Sequence, residues 1–558
     1  MKKSRLGTSI EYICIIISFV AAIKILFVGY DIDEQYAFAL SYRLLKGDSL
    51  IFQMWEPHQS SAFLLTFLIF LYTRVFSFKG VVLFSRVVGL LIHSVLMGFL
   101  WKYLSKRLPG VFATLITSIV FFSLPKIMFL PEFSNLQMWF LLGSILPMLK
   151  YFSDEKRKPF LLIATGICLA FEALSYPSTI LLFFVFLAVI IKNRKSGKQT
   201  VSEILAILLP SVVTGFAFIV FLFAKGSADS FFYNIRNILN DGSHSATFLE
   251  RLVVNKSSLV TLVFWSTVYL IISFAIFFIV KLVKKNYKNP LLFISIFGSV
   301  VFIGQIFIWV FLDKYPNYPQ AEYFIVPIFA FLLLFTKRIR FSNEFILWIL
   351  GPIASFIGVC IFTNHPFLVS AQFLAYTIVG LFVVWRQSET VNELNVEKNK
   401  ESSLRPIMIL LVLWALTICF GRIYMIRTTG GIHYTCFDEL SLLRKGPACG
   451  IIADETIAVR YRDNYDLICD NIPGQSKVFY MGKSSDIYLF NDYEVCAPSV
   501  ICTPTYNEST MNYFMINPEK KPDYIICENE YIDEKESLFG DDYIYVTSND
   551  YITLFANK

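Results

Sequence analysis

The stretch Asp31-Ile32-Asp33-Glu34-Gln35-Tyr36 follows directly on an apolar run from Ile10 to Gly29. A hydrocarbon core of roughly 30 Å takes about 20 apolar residues as helix. The acids therefore fall where a membrane helix ends and water begins. Lys24 interrupts the run near that end, and it either snorkels or faces protein, because a lipid-facing charge is costly. The start, Met1-Lys2-Lys3-Ser4-Arg5, is basic. A signal peptide would begin the same way, but no small-residue cleavage site follows Gly29, so the run reads as an uncleaved first helix.

Downstream, Tyr36, Ala37, Leu40, Leu44 and Leu45 recur at helical spacing, and Gly47-Asp48 ends the pattern. This predicts a helix over 33–47 lying along the membrane surface, with its acids at the positive N-terminal end.

The rest of the chain agrees with a membrane setting. Of 558 residues, 56% are hydrophobic and 16% charged, where soluble domains carry about a quarter charged. Apolar runs recur near 62–78, 83–104, 111–124, 135–151, 160–175, 178–191, 201–224, 259–282, 290–312, 322–336, 345–362, 366–385 and 406–424. The net charge of +7 is no nucleic-acid signal, because Lys and Arg collect in the loops between runs. By the positive-inside rule the loops at 156–158, 192–195, 281–288 and 337–340 are cytoplasmic, as is the N-terminus. Alternation from both ends then requires one run not to cross. The short run 62–78, with Thr66, Tyr72 and Arg74, is the one expected to be interfacial or re-entrant. About thirteen spans remain, in a plasma membrane.

This topology places Asp33, Glu34, Glu56, His58, Glu132, His244, Asp313, Lys314, His365 and His433 outside. After Gly430 the composition turns polar. Residues 450–453, 477–482, 523–527, 543–546 and 551–555 read as strands, and 457–471 and 508–517 as helices. The expectation is a transmembrane domain over 1–428, with an external first loop at about 30–82, and an extracytoplasmic α/β domain over 429–558 with a parallel-type sheet. Gly482-Lys483-Ser484 resembles the end of a phosphate loop but lacks the upstream glycine. Six of the ten cysteines fall in the C-terminal part; disulfides and free buried thiols both remain open there. There is no C-x-x-C to suggest zinc.

An acidic pair at a membrane face can hold a divalent cation, act as base toward a hydroxyl or hydrogen-bond sugar hydroxyls. It can also be a plain helix cap. Two further clusters favour chemistry: Glu56-Pro57-His58-Gln59 in the same loop, and Glu132 in the next external one. A lipid-linked sugar transporter or flippase would instead need polar residues at mid-membrane depth, and beyond Lys24, Glu172 and Gln305 few exist. An O-antigen-type polymerase would place key arginines in large external loops.

In this order the motifs resemble those of a family. Asp33-Glu34-Gln35-Tyr36, Leu44-Leu45-Lys46-Gly47-Asp48, Glu56-Pro57-His58-Gln59, Arg86, Pro131-Glu132 and Ser175-Tyr176-Pro177-Ser178 resemble the GT-C glycosyltransferases. The nearest in pattern are the protein O-mannosyltransferases and lipid A aminoarabinose transferases, most clearly over the first 180 residues. The family's double proline is here Pro57-His58, and its second loop acid matches either Glu132 or Asn135. The resemblance implies a polyprenyl-phosphate sugar donor and a lipid, glycan or protein hydroxyl acceptor on the outer face. Asp33 and Glu34 are then the catalytic candidates, with Asp33 as base. Glu56, His58, Gln59 and Glu132 would bind acceptor or cation. Arg86, Arg236 and Lys314 would hold the donor phosphate. Asp33, Glu34 and Glu132 are candidate ligands for Mg or Mn.

Overall fold

The computed structural model describes residues 5–56, 58–124, 126, 128–239, 248–283, 291–312, 324–327, 330, 341–362, 367, 373–392, 400–428 and 431–558. Lys314, His244 and His365 lie outside these.

The helical part begins with α1 (Arg5–Phe27), followed by α2 (Ile32–Lys46), α3 (Ala62–Thr73), α4 (Val81–Ser105), α5 (Gly110–Phe122), α6 (Phe133–Ser153) and α7 (Pro159–Ser175). It continues through α8 (Leu182–Lys192), α9 (Gly197–Phe223), α10 (Ala228–Leu239), α11 (Phe248–Val283), α12 (Leu291–Phe311), α13 (Asn343–Phe362), α14 (Thr377–Asn392) and α15 (Lys400–Tyr424). Among the described residues seven helices are long and apolar enough to cross a membrane, and five further apolar helices are shorter. The expected thirteen crossings are thus not established. Several of the runs are cut short by their ends: Pro109 and Ser123 bound α5, and Tyr176-Pro177 separates α7 from a 3-10 turn leading into α8. The run over 62–78 forms only the twelve-residue α3, roughly 18 Å at 1.5 Å per residue, too short to span.

The helix α2 forms where the pattern puts it. Asp31 caps it by accepting from Asp33 N at 2.9 Å. Gly47 ends it at φ 97°, a left-handed conformation that suits glycine. Its setting differs from the expectation of a surface helix, since Glu34, Gln35 and Ala37 through Arg43 are all buried. The cause is the C-terminal part of the chain. Tyr30, Phe38 and Tyr42 share one apolar cluster with Ile451, Tyr488 and Val495, so burying α2 and closing the C-terminal core are one event.

That C-terminal part starts with two hairpin-like pairs, β1 (Met425–Thr428) with β2 (Gly431–Thr435) and β3 (Leu440–Leu442) with β4 (Ile452–Asp454). Next come α16 (Glu455–Asn471), β5 (Lys477–Met481), β6 (Glu494–Val495), α17 (Asn507–Ile516), β7 (Tyr524–Glu528), α18 (Ile532–Phe539), β8 (Tyr543–Ser548) and β9 (Ile552–Asn557). The main sheet has the order β6-β5-β7-β9-β8. Its first three strands are parallel and the last two join antiparallel, so the sheet is mixed where a parallel one was expected. The 450–453 strand is not in it, because β4 pairs with β3 instead. All ten cysteines are free thiols.

Candidate functional site

The site is assembled where α1 stops. Its last carbonyls would be orphaned, and Arg86 of α4 takes them. Arg86 Nη1 donates to Leu26 O at 3.0 Å and Ile25 O at 3.4 Å, and Nη2 to Gly29 O at 2.6 Å. The other two N–H groups meet Glu34 as a fork, at 2.7 and 2.5 Å. All five guanidinium donors are thereby used, and both Glu34 oxygens are engaged in a fully buried pair. Arg86 has no N–H left for a donor phosphate, and Glu34 serves as the anchor that closes α1 onto α2.

Gly29 lets the late chain in. Its φ is +94°, and an added Cβ would lie 2.8 Å from Arg427 O. Only glycine permits β1 to pass this close. Arg427 is thereby delivered to the start of α2, where its Nε sits 2.8 Å from Asp31 Oδ2 and its Nη2 2.7 Å from Asp33 Oδ2. A second cation, Lys126 from the segment between α5 and α6, reaches the same Asp33 oxygen at 2.9 Å.

The two aspartates diverge. Asp31 is buried, and burial pushes its pKa up to about 6 against the opposing pull of Arg427. Asp33 keeps 31% of its side chain exposed. Partial burial would raise its pKa, but Lys126 and Arg427 outweigh that and hold it at about 2.

Glu132 stands at the same place in another role. Its carboxylate caps α6, accepting from Asn135 N at 2.7 Å and Ser134 N at 3.0 Å. Burial pushes its pKa up, while Lys126 and the capping amides oppose this. Next to it, Phe133 carries Lys126 over its ring at 4.3 Å. His58 stacks on the same ring at 4.2 Å and leans on Tyr176 at 4.8 Å. The His58 backbone sits at φ 59°, an uncommon conformation for a residue with a Cβ. The surrounding aromatic contacts hold it there. The fold thus brings Asp33 and Glu132 to Lys126, with His58 next to them against the Phe133 ring.

Other candidates lie elsewhere. Glu56 is buried at the far end of α2, paired with Arg43 at 3.2 Å and accepting from Val500 N at 2.8 Å and Ser499 Oγ at 3.2 Å. Gln59 braces the loop by accepting from Ile51 N at 2.6 Å and donating to Glu56 O at 3.0 Å. Arg236 is exposed on α10, which packs against the loop through Asn234 and Phe52.

Among the described residues no three His, Cys, Asp or Glu side chains gather as a metal site. Glu34 is spent on Arg86, Asp33 Oδ2 on two cations and Glu132 on backbone amides. The carboxylates proposed for Mg or Mn therefore do not fit a divalent cation in this arrangement.

The arrangement fits an anion better. A narrow cleft of about 10 Å³, room for about one water, is lined by Lys24, Arg86, Lys126 and Arg427 with Asp31 and Glu34. Arg86 is already used on helix-end carbonyls and Glu34, which leaves Lys126 and Arg427, both on Asp33, as the cations with access to a ligand. Lys24 does face protein: its ammonium donates to Met425 O. Lys126 and Arg427 were not singled out from the sequence, although a signal existed. Both lie in segments assigned to the outside, where the positive-inside rule leaves fewer cations.

No family model and no curated protein matches the chain. It is similar to two solved structures of ArnT from Cupriavidus metallidurans, one bound to undecaprenyl phosphate and one in the apo state. Identity is 10% in each, over 99% of this chain and 98% of the other, with TM-scores of 0.48 and 0.43. A likeness this distant carries nothing about ligand or activity.

Proposed function

We propose that this protein is an integral-membrane glycosyltransferase that moves a sugar from a polyprenyl phosphate to a hydroxyl acceptor on the outer face of the membrane. The observation that carries the reading is the Asp33 carboxylate, part-exposed and held by Lys126 and Arg427 beside a cation-rich cleft. The leaving phosphate is the natural ligand of those two cations. A lipid-linked donor reaches such a cleft by lateral diffusion and needs no nucleotide outside the cell.

In the reaction the acceptor oxygen attacks the anomeric carbon and the bond from that carbon to the phosphate oxygen breaks. The electron pair leaves with the phosphate, where preorganised cations stabilise it. The acceptor proton passes to Asp33. With a pKa near 2 Asp33 alone is a weak base, since proton transfer is most efficient near the working pH. Donor phosphate competes for Lys126 and Arg427, and as they turn to it Asp33 becomes more basic. Glu132 and His58 shape the acceptor side. Glu34 and Arg86 hold the scaffold, and a divalent cation has no part in this scheme.

The test is transfer from a radiolabelled polyprenyl-phosphate sugar pool in membranes, comparing wild type with Asp33→Asn at matched protein level. Loss by orders of magnitude with the fold intact supports the reading. Unchanged transfer reduces Asp33 to a helix-end acid. Absence of transfer by the wild type from any such donor moves the transporter reading forward.

A further inference from the structure

We propose that a second cavity, on the opposite side of α2 from Asp33, binds a neutral polyhydroxylated sugar. Residues two apart on a helix lie about 200° around its axis. Gln35 therefore points away from Asp33 and into this cavity, which has a volume of about 70 Å³ and opens to solvent. The opposite wall is α16 and the segment beyond the carboxyl end of the parallel strand β5, and open α/β sheets bind ligands beyond such strand ends.

The phosphate-loop-like Gly482-Lys483-Ser484 lies here, yet its amides are already taken. Lys483 N donates to Glu528 Oε1 at 3.2 Å, Ser484 N to the Tyr480 hydroxyl at 3.1 Å and Ser485 N to Lys483 O at 3.1 Å. The Lys483 ammonium lies over the Tyr531 ring, 3.7 Å from Glu530. Arg460, also in the wall, is paired through Nη2 to Glu528 at 2.6 Å while its Nε has no partner among the described residues, and Asp486 lines the cavity too. An anion would meet no free amide cradle, and Asp486, which burial pushes up to about 7, is a neutral or anionic acceptor rather than a counter-charge.

What remains suits hydroxyls. Gln35 is 3% exposed, and its Oε1 has no partner among the described residues. A buried acceptor left unmade costs about 1–3 kcal/mol, so an incoming O–H has a ready place. Asn464 and Ser484 add neutral polar groups to the wall. Asp486 accepts one bond, from the Tyr30 hydroxyl at 2.8 Å, and its carboxylate has capacity for more. Tyr461 and Phe490, packed edge to face at 5.2 Å, supply the apolar surface that the C–H face of a sugar ring covers. Amides, a carboxylate and aromatic rings together are the chemistry of a neutral sugar. On the transferase reading the occupant is part of a glycan acceptor. That role rests on the reading above; the binding does not.

The test is saturation-transfer NMR and titration on the full-length protein in nanodiscs, without donor. The probes are maltose, lactose and chitobiose, with inorganic phosphate and UMP as anionic comparators. Expected is binding of at least one disaccharide and none of the anions. Ile457→Trp, which fills the cavity from α16, and Gln35→Leu should each weaken it about tenfold or more. Gln35→Leu should leave the thermal midpoint of the empty protein unchanged or higher, because it removes an orphaned acceptor. No disaccharide binding, equal binding to Ile457→Trp, or preferred binding of phosphate or UMP overturns the proposal. Binding by a protein that shows no transfer would leave the sugar site standing and remove the transferase reading alone.

Discussion

The two ends of α2 are both tied to the late part of the chain by acid–base clusters, and the clusters differ in one respect. At the C-terminal end Arg43, Asp48, Glu56 and Lys520 are buried, and Glu494, 38% exposed, is the member of that cluster that reaches solvent. Arg43 bonds Asp48 at 2.8 Å and Glu56 at 3.2 Å, and Lys520 bonds Asp48 at 2.6 Å and Glu494 at 3.0 Å. Backbone and hydroxyl donors at Val500 and Ser499 complete Glu56. At the N-terminal end Arg427 and Lys126 converge on one oxygen of Asp33, whose side chain is still 31% exposed. A closed network fixes geometry; one with an open carboxylate and cations beside a cleft can exchange partners with a ligand. Residue type alone does not separate structure from chemistry here, since Arg, Lys, Asp and Glu build both. Access does.

The contrast is most exposed to Asp33→Asn. Transfer per folded molecule should fall about 10²–10⁴-fold, the range of a lost general base, while stability moves by about 1 kcal/mol or less, as for a part-exposed pair. Radiolabel transfer and thermal midpoint on the same preparation read both. The mirror image is Arg43→Met. It leaves buried Asp48 and Glu56 without their cation and should cost about 3–5 kcal/mol. The expected outcome is loss of monodisperse protein on detergent chromatography, with whatever folds keeping normal transfer. If Arg43→Met instead folds well and loses transfer, the closed cluster is chemical and the contrast fails. Arg427→Gln comes next. Removing one charge-stabilising donor should lower transfer per folded molecule about 10²-fold, with some loss of yield because buried Asp31 loses its cation.

These distinctions explain what the sequence could and could not show. The helix α2 was legible end to end, because its cap Asp31, its apolar spacing and its stop at Gly47 are all local. So were the strands at 477–481 and 524–528, which are short, apolar and flanked by polar turns. Asp33, Glu132 and His58 were legible as candidates because acids and a histidine in short external loops stand out. Glu56 and Gln59 stood out equally, and the fold engages both with partners inside the chain. The Glu56 partners Arg43, Ser499 and Val500 come from the end of α2 and from more than 400 residues away, and no local pattern reveals a carboxylate's saturation; Gln59 is held locally, by Ile51 and Glu56. Arg86 was found as well, and its five donors are claimed by helix-end carbonyls and Glu34. Lys126 and Arg427 were missed as isolated cations, whose role exists only after Gly29 admits β1. The burial of α2 also went unseen, since the covering cluster lies mostly beyond residue 440.

The smallest effect is the most specific to cation exchange at the open end. In the donor-free protein Asp33 is anionic down to about pH 2. A depressed carboxylate stabilises the fold above its unfolded value near 3.9 and loses that contribution only as pH falls through about 2. No acid loss from this group should therefore appear in folding between pH 5 and 8. The pH profile of kcat/KM reports free enzyme and that of kcat the bound complex. If donor phosphate draws Lys126 and Arg427 away, the Asp33 pKa rises only in the complex. An acid limb should then appear in kcat at higher pH than in kcat/KM, by about one unit or more, since each unit corresponds to about 1.4 kcal/mol of altered interaction. Lys126→Gln removes one of the two cations in both states and should shrink that gap. Coincident limbs in wild type and variant would mean the cations never leave Asp33. The carboxylate would then orient the acceptor without taking its proton, and the open cluster would differ from the closed one in exposure alone.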